Sequence, residues 1–200
     1  MSGVRIKLCG VRSVADALLC AEEGADEIGV VLAQQSRRRV TVEEAKAIRD
    51  ALPARVPLVG VFLDASLEEV ERVAAAVGLQ AAQLHGGWLE GPSPLPLYAA
   101  LQVTSEESLQ PRPGAARILL DGPAGGSGKG FPWALAEKAR ALHRGELFVA
   151  GGLSPLNVAQ AIREARPSGV DVAGGIEGED GFKDRERVRA FVRAARGAFK

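Results

Sequence analysis

The sequence predicts an α/β fold, and three observations favour a closed (β/α)8 TIM barrel within that class. Short runs rich in β-branched residues alternate with Ala-, Glu- and Arg-rich segments, as in parallel strands joined by crossover helices. Eight such runs are present, the number that closes this barrel. The first run is followed by Cys-Gly-Val-Arg-Ser at residues 9–13, whereas an open dinucleotide-binding sheet would have a Gly-x-Gly-x-x-Gly turn there.

Local signals place the predicted strands and helices in chain order. The strands are residues 4–9, 27–32, 57–63, 81–85, 97–103, 117–121, 147–150 and 169–173. A hydroxyl followed three residues later by a carboxylate predicts helix starts at Ser13, Thr41 and Ser66. Ser154, which precedes a proline, predicts a further start. Apolar residues at helical spacing then give residues 66–77 one buried face.

The connections after the fourth and fifth strands are predicted to be loops. Five prolines lie between the fourth and sixth strands, namely Pro92, Pro94, Pro96, Pro111 and Pro113. Because proline interrupts helices, two full crossover helices do not fit there. We therefore expect a barrel with shortened fourth and fifth crossovers, folded as one domain over residues 1–200.

Composition limits the partners and the compartment. Lys plus Arg and Asp plus Glu number 25 each, so the net charge is zero and the basic excess of a nucleic-acid-binding protein is missing. No apolar run approaches the roughly 18 to 20 residues that span a membrane, and residues 1–7 lack the apolar core of a signal peptide. The two cysteines fit a reducing compartment. We expect a cytoplasmic protein, monomeric or homodimeric, that binds a small molecule and neither nucleic acid nor membrane.

Strand alternation directs several reactive side chains into the barrel. In the first strand, Ile6 and Leu8 should face the helices, which turns Lys7 and Cys9 inward. Cys9 then lies at the C-terminal rim, where active sites of these barrels are found. It is either a small buried apolar residue or a functional thiol whose pKa is lowered by Lys7, so that it acts as a base.

Three further residues face the same end of the barrel. Asp121 ends an apolar strand, where a carboxylate is costly unless it is paired or used. It is either a catalytic group or a cap for the following Gly-rich turn. His85 is either a substrate contact or a hydrogen-bonded structural residue. Asp171 lies on the strand that adjoins the first strand when the barrel closes, so a structural ion pair with Lys7 is expected.

Two matching loops predict a phosphate site. Val-Ala-Gly-Gly occurs at residues 149–152 and again at residues 172–175, after the seventh and eighth strands. Paired glycines let backbone amides approach an anion, and the loops after these two strands commonly bind phosphate in such barrels. Gly151, Gly152, Gly174 and Gly175 are therefore candidate phosphate ligands. The alternative is two tight turns that need positive φ.

Two basic or Gly-rich segments complete the candidates. Residues 125–130 (Gly-Gly-Ser-Gly-Lys-Gly) resemble a P-loop only superficially, because Pro123 replaces its first Gly and Gly130 its Ser or Thr. We predict a lid over the site there. Residues 36–39 (Ser-Arg-Arg-Arg) are either a solvated lead-in to a helix or an arginine fork for a carboxylate. No His, Cys or Asp spacing indicates a metal site.

The motifs together resemble the phosphoribosylanthranilate isomerase family of tryptophan biosynthesis. The similar segments run in order along the chain: residues 7–10, 24–29, 36–39, 59–62, 83–86, 120–121, 125–129, 150–153, 169–172 and 175–177. This resemblance implies a cofactor-independent Amadori rearrangement of a phosphoribosylated anthranilate. It implies that Asp121 is the general acid, that Cys9 is the general base and that Arg38 holds the anthranilate carboxylate, although Arg37 and Arg39 leave that register open by one residue.

The chain departs from the family pattern at both predicted phosphate loops. The family usually has Ser before its first Gly pair and Ser-Ser-Gly in the second loop, where this chain has Ala150 and Ala173-Gly-Gly. Phosphate binding should therefore depend on backbone amides. Two alternatives stay open: the related aminoaldose isomerase of histidine biosynthesis, which normally uses two carboxylates, and a barrel that binds phosphate without catalysis.

Overall fold

The strands form the predicted closed barrel. The computed structural model describes residues 3–89, 91–122 and 135–199, so the predicted lid at residues 125–130 lies outside the described residues. The strands are β1 (Arg5–Cys9), β2 (Glu27–Val31), β3 (Leu58–Leu63), β4 (Ala81–His85), β5 (Leu97–Gln102), β6 (Arg117–Asp121), β7 (Glu146–Ala150) and β8 (Gly169–Val172). All are parallel, and β1 pairs with both β2 and β8.

Helices cover the outside of this barrel and begin where the sequence predicts for the first three. They are α1 (Val14–Glu22), α2 (Val42–Ala51), α3 (Leu67–Val77), α4 (Leu135–Leu142), α5 (Val158–Ala165) and α6 (Arg185–Arg196). Ser13, Thr41 and Ser66 each accept a hydrogen bond from the backbone amide three residues later. At Thr41 the bond is reciprocated by the Glu44 carboxylate, which completes a capping box.

The predicted start at Ser154 is wrong, because α5 begins at Val158 with Asn157 as its N-cap. The Asn157 side chain reaches back along the chain. Its Oδ1 accepts from the Ser154 amide at 2.8 Å and its Nδ2 donates to the Gly152 carbonyl at 3.0 Å. These bonds hold the preceding residues in a turn, so the helix starts one turn later.

The shortened fourth and fifth crossovers are confirmed within the described part of the chain. Between β4 and β6 the described residues contain β5 and one 3₁₀ turn, Glu106–Ser108, and no α-helix. The Trp88 indole nitrogen donates to the Pro113 carbonyl at 3.1 Å. This bond joins the two proline-rich connections to each other.

Alternation along the strands separates two parts of the core. Ile6 and Leu8 are fully buried between the sheet and the helices, as predicted. Leu119, Phe148 and a few small residues pack separately inside the barrel. The interior is therefore filled with side chains at mid-height, and the open space lies at the C-terminal ends of the strands.

A buried ion pair closes the N-terminal end of the barrel. The Arg117 guanidinium donates to both oxygens of Glu27 at 2.6 Å and also contacts Glu146 at 3.1 Å. It lies between the rings of Tyr98 and Phe148, 4.0 and 3.7 Å from their centroids. This end lies opposite the rim where barrel active sites form, so we infer that the cluster stabilises the fold and takes no part in the active site.

Glu27→Gln should destabilise the fold strongly. Removing one partner leaves the buried Arg117 charge poorly compensated, which costs about 3 kcal/mol in the free energy of unfolding. Urea denaturation measures this change. Lys46→Gln is the control, because it breaks the exposed pair with Asp50 and should leave the urea midpoint unchanged. Equal midpoints for the two variants would contradict a stabilising role of the cluster.

Candidate active site

Five side chains with ionisable groups meet inside the C-terminal half of the barrel. Lys7 and Cys9 come from β1, His85 from β4, Asp121 from β6 and Asp171 from β8. Lys7, Cys9 and Asp171 are buried, and the other two are half-buried. All except Lys7 line one cavity. The inward placement predicted for these residues is confirmed.

Lys7 and Asp171 form the expected ion pair. They are opposite each other in the β1–β8 register, with Nζ 2.8 Å from Oδ1. Burial alone would lower the pKa of Lys7, but the Asp171 carboxylate and the Cys9 sulfur raise it above its ordinary value. A permanent ammonium therefore lies at the centre of the site, next to Cys9.

Gly29 makes room for this ammonium and for the thiol. It is opposite Cys9 in the β1–β2 register. A Cβ at Gly29 would lie 2.7 Å from Cys9 Sγ, closer than real Cβ contacts, and 3.0 Å from Lys7 Nζ, tighter than most of them. Any other residue would displace one of these groups. The signal for this role was a Gly inside an apolar strand, which often marks a close approach.

The surroundings of Cys9 correct the expectation that its pKa is lowered. Burial raises the pKa of the Cys9 thiol above its usual range. The Lys7 ammonium opposes this increase, and the Asp171 carboxylate adds to it. In the unliganded protein the thiol is therefore protonated at neutral pH, because burial outweighs the neighbouring cation.

Asp121 is a carboxyl group whose pKa is raised toward neutral pH. Burial raises the pKa of Asp121 to about 6, and the Asp171 carboxylate contributes further to the increase. Lys7 opposes it. An appreciable fraction of Asp121 therefore carries a proton in the physiological range, as a general acid requires.

His85 is a neutral imidazole at the edge of the same cavity. Burial lowers the pKa of His85, and the Lys7 ammonium lowers it further. Its Nε2 lies 3.0 Å from the Gln83 side-chain nitrogen, so the two inward-facing residues of β4 contact each other. His85 can therefore donate or accept a hydrogen bond without adding charge.

Two cavities of different character adjoin at these groups. The first, of about 290 Å³, has an apolar wall made of Val31, Ala33, Val61, Phe62, Leu63 and Leu119. The second, of about 550 Å³, lies between the loops that follow β7 and β8. Arg38, Asp121 and Asp171 line both cavities. A ligand with an apolar end and a polar end would pass directly over Asp121.

The four predicted phosphate glycines all line the second cavity, but the two pairs differ in structure. Gly151 and Gly152 have φ of 82° and 63°, so the first pair is a tight turn that favours glycine. Gly174 and Gly175 instead begin a 3₁₀ turn. A Cβ at Gly175 would lie 1.9 Å from the Leu153 carbonyl oxygen, so close packing of the two loops requires this glycine.

Arg38 is the arginine of its cluster that lines both cavities. The Arg37 side chain is 78% exposed and lines the second cavity alone, and Arg39 is exposed and lines neither, whereas Arg38 lines both cavities. Its Nε and Nη2 donate to the two carboxylate oxygens of Glu177 at 2.5 and 2.9 Å. The geometry therefore favours Arg38 over its neighbours as a ligand for a substrate carboxylate.

Comparison with known families identifies the family of the chain. The sequence model described as N-(5'phosphoribosyl)anthranilate (PRA) isomerase matches residues 6–194. The chain belongs to this isomerase family. Its resemblance to the family, drawn from short motifs, is thereby confirmed over nearly the whole chain.

Individual members of the PRA isomerase family match the chain from end to end. The N-(5'-phosphoribosyl)anthranilate isomerase of Rubrobacter xylanophilus is 44% identical, over 96% of this chain and 98% of the relative. A monomer generated from the dimeric Thermotoga maritima enzyme superposes with a TM-score of 0.82 at 35% identity, covering 97% of this chain and 99% of that one. Another solved isomerase, 36% identical with a TM-score of 0.84 and the same coverage, contains reduced 1-(o-carboxyphenylamino)-1-deoxyribulose 5-phosphate.

The described part of this PRA isomerase family member offers neither a metal site nor a membrane-spanning helix. Among the described residues, no group of three His, Cys, Asp or Glu side chains is arranged to hold a metal ion. None of the helices that the structure describes is long and apolar enough to cross a membrane.

The sequence did not single out two charged residues of this site. Glu177 pairs with Arg38, and Lys183 donates to Glu177 at 3.2 Å and to the Ala173 carbonyl at 3.1 Å. Both are buried. Glu177 lies within a segment that resembles the PRA isomerase family, which was the available signal. Lys183 carries no local signal, because only folding brings it to the loop after β8.

Proposed function

We propose that this chain catalyses the Amadori rearrangement of N-(5′-phosphoribosyl)anthranilate to 1-(2-carboxyphenylamino)-1-deoxyribulose 5-phosphate in tryptophan biosynthesis. The observation that carries this proposal is the junction of an apolar cavity with a glycine-lined polar cavity at Asp121. The substrate has matching parts: an aromatic ring with a carboxylate, a ribose and a phosphate. The molecule bound to the related isomerase has an aromatic carboxylate, a sugar chain and a phosphate too.

Asp121 acts as the general acid that opens the ribose ring. It protonates the ring oxygen while the anilino nitrogen supplies its lone pair to C1′, so the C1′–oxygen bond breaks and a protonated Schiff base forms. The raised pKa of Asp121, about 6, keeps a proton available for this step.

Cys9 acts as the general base in the next step. Its thiolate removes the C2′ proton, the electron pair moves toward the nitrogen, and the resulting enolamine tautomerises to the 2-ketone. Lys7 lies beside the sulfur, where its charge lowers the pKa of Cys9 and stabilises the thiolate as it forms. Acid and base come from β6 and β1, on different sides of the cavity.

The remaining site residues bind the two ends of the substrate. We assign the phosphate to Gly151, Gly152, Gly174 and Gly175, whose loops line the polar cavity. Arg38 binds the anthranilate carboxylate with a charge-assisted hydrogen bond.

Lys7, Asp171 and His85 are proposed as further contacts near the reacting atoms. Asp171 anchors the Lys7 ammonium and lines both cavities, so we assign it a contact with the hydroxyl groups of the substrate. The neutral His85 imidazole offers a hydrogen bond at the rim of the apolar cavity.

The proposed reaction also bears on the cofactor, the compartment and the partners of the enzyme. Only protons move between substrate and protein, so an acid and a base suffice and we propose no cofactor. We also propose a cytoplasmic enzyme whose partner is its phosphorylated substrate. The relative from Thermotoga maritima has been obtained as monomers of a dimeric enzyme, so both states are compatible with this fold.

The rate should depend on pH in a bell shape with an acid limb near pH 6. The active form has Asp121 protonated and Cys9 ionised, yet Asp121 has the lower pKa. Between the two pKa values the fraction in this form is constant. Below pH 6 this fraction falls, because Asp121 is already protonated while the fraction of Cys9 in the thiolate form keeps decreasing. Above the pKa of Cys9 the fraction falls again, because Cys9 is already ionised while the protonated fraction of Asp121 keeps decreasing.

The measurement is kcat/KM against pH. The inhibition constant of reduced 1-(o-carboxyphenylamino)-1-deoxyribulose 5-phosphate, followed over the same range, is the control, because it reports titration of the phosphate without the chemistry. A rate that keeps rising as the pH falls below 6, after this correction, would contradict the assignment of the two groups.

Turnover of freshly generated N-(5′-phosphoribosyl)anthranilate, followed as loss of anthranilate fluorescence, tests the proposed function. We expect a saturable rate with this substrate and a much smaller kcat/KM with the aminoaldose phosphate of histidine biosynthesis. A reversed preference would assign the chain to the histidine-pathway isomerases. Binding of the reduced analogue without turnover of either substrate would indicate a barrel that binds phosphate without catalysis.

A further inference from the structure

The Glu177 carboxylate is enclosed by cations at the edge of the site. Arg38 binds it with two hydrogen bonds, and the fully buried Lys183 ammonium binds its Oε1 at 3.2 Å. The exposed Arg37 guanidinium lies 3.6 Å from Glu177 Oε2. Burial would raise the pKa of Glu177, but Arg38 and Lys183 lower it below its ordinary value. Glu177 is therefore a permanent anion, although its side chain is only 5% exposed.

The backbone of Glu177 is held from several sides. Its amide donates to the Gly174 carbonyl at 3.1 Å, and its own carbonyl accepts from Arg187 Nη1 at 2.6 Å. Glu177 and Lys183 also form an antiparallel bridge. The carboxylate therefore projects from a fixed position, which makes it suited to orienting a longer and more flexible side chain.

Arg38 is that longer side chain, and it packs closely against the backbone of Gly10. A Cβ at Gly10 would lie 2.5 Å from Arg38 Cδ, so the arginine chain passes directly over the residue that follows Cys9. Glu177 holds the edge of the guanidinium formed by Nε and Nη2. A second carboxylate would therefore bind along the edge formed by Nη1 and Nη2.

We infer that Glu177 is a positioning residue that directs Arg38 toward the substrate carboxylate and thereby sets the preference for an arylamine with an ortho carboxylate. This inference rests on the proposed function. The opposite reading treats Glu177 as a competitor that occupies Arg38 until the substrate displaces it. The two readings differ in sign: loss of the Glu177 charge weakens carboxylate binding in the first and strengthens it in the second.

The same segment also presents the second phosphate loop. Gly174 and Gly175 precede Glu177 in one short turn, and a Cβ at Gly174 would lie 3.2 Å from Arg38 Nη2. One rigid segment thus positions the groups for both ends of the substrate. Replacing only the Glu177 carboxylate keeps Gly174 and Gly175, so it should change which aromatic group fits while the phosphate loop is retained.

Binding of two probes to Glu177→Gln tests this inference. The probes are reduced 1-(o-carboxyphenylamino)-1-deoxyribulose 5-phosphate and the same molecule without its carboxylate. We expect the Kd of the first to rise about tenfold, because a charged hydrogen bond is lost or misaligned, and the Kd of the second to stay unchanged. In an Arg38→Met background, Glu177→Gln should add no further loss for either probe. With substrate, KM should rise more than kcat falls.

Control variants separate positioning from folding. Glu179→Gln removes an exposed carboxylate from the same loop and should change neither Kd. Thermal unfolding establishes that each variant is folded. If Glu177→Gln does not fold, Glu177→Asp serves instead: it keeps the charge but withdraws the carboxylate, so it should show a smaller loss confined to the carboxylated probe.

Three results would overturn the inference: an unchanged Kd for the carboxylated probe, a lower one, or an equal loss for both probes. Failure of the proposed function gives a different result. In that case the wild-type chain would not turn over N-(5′-phosphoribosyl)anthranilate, whatever its Kd for the two probes.

Discussion

Asp121→Asn should abolish measurable turnover while the protein remains folded. The amide has nearly the volume of the carboxyl group but cannot donate an acidic proton to the ring oxygen. General acid catalysis contributes about 10²- to 10⁴-fold, so kcat should fall by that factor or more. The steady-state rate with N-(5′-phosphoribosyl)anthranilate measures the effect. Burial raises the pKa of Asp121, which means that the folded protein disfavours its ionised form. Replacing the carboxyl group by an amide should therefore not reduce the free energy of unfolding.

The control for this variant is Asp50→Asn, which makes the same chemical change at an exposed position of α2. It should leave kcat unchanged. Asp121→Asn should also bind the reduced product analogue about as tightly as wild type does, since the binding groups remain. A variant that keeps more than a tenth of the wild-type rate would exclude Asp121 as the general acid.

Cys9→Ser is expected to have the second large effect. A hydroxyl is a much weaker acid than a thiol, so the side chain is almost never in the anionic form that removes the C2′ proton. We expect kcat to fall about 10²- to 10⁴-fold. The alkaline limb of the pH profile should also disappear from the accessible range, because that limb reports ionisation of the thiol.

Cys20→Ala provides the matched control. Cys20 is buried in α1, away from both cavities, so its replacement should leave kcat and the pH profile unchanged. Retention of the wild-type alkaline limb by Cys9→Ser would show that another group is the base. Lys7 is then the nearest candidate, although its raised pKa argues against it.

The fold could be predicted closely because its signals are local. The strand Pro-Leu-Val-Gly-Val-Phe-Leu is an apolar run between turn residues, and the predicted residues 57–63 differ from the observed β3, Leu58–Leu63, at one end only. The helix starts at Ser13, Thr41 and Ser66 are encoded within four residues each. The start of α5 was missed because Asn157 makes its bonds backward, to residues that the Ser-Pro signal had placed inside the helix.

The site was predicted in part, for a related reason. Alternation within a strand decides which side chains point inward, so Cys9 and Asp121 could be placed. The pKa of Cys9 could not be predicted. It depends on whether the effect of burial, which raises it, exceeds the effect of the nearby Lys7 charge, which lowers it, and both are determined by the folded barrel. The same limit applies to Glu177: its partner Arg38 is 139 residues away in sequence. The roles assigned to these residues remain proposals that the variants test.

Turnover and analogue binding by the wild-type chain and Asp121→Asn, measured side by side, test the central claim most directly. The claim is that one site binds both ends of N-(5′-phosphoribosyl)anthranilate and opens its ring with the Asp121 proton. It predicts saturable turnover by the wild type, no detectable turnover by Asp121→Asn, and similar Kd values of the two proteins for the reduced product analogue. Turnover by Asp121→Asn at a rate close to that of the wild type, or a folded wild type with no turnover, would contradict it.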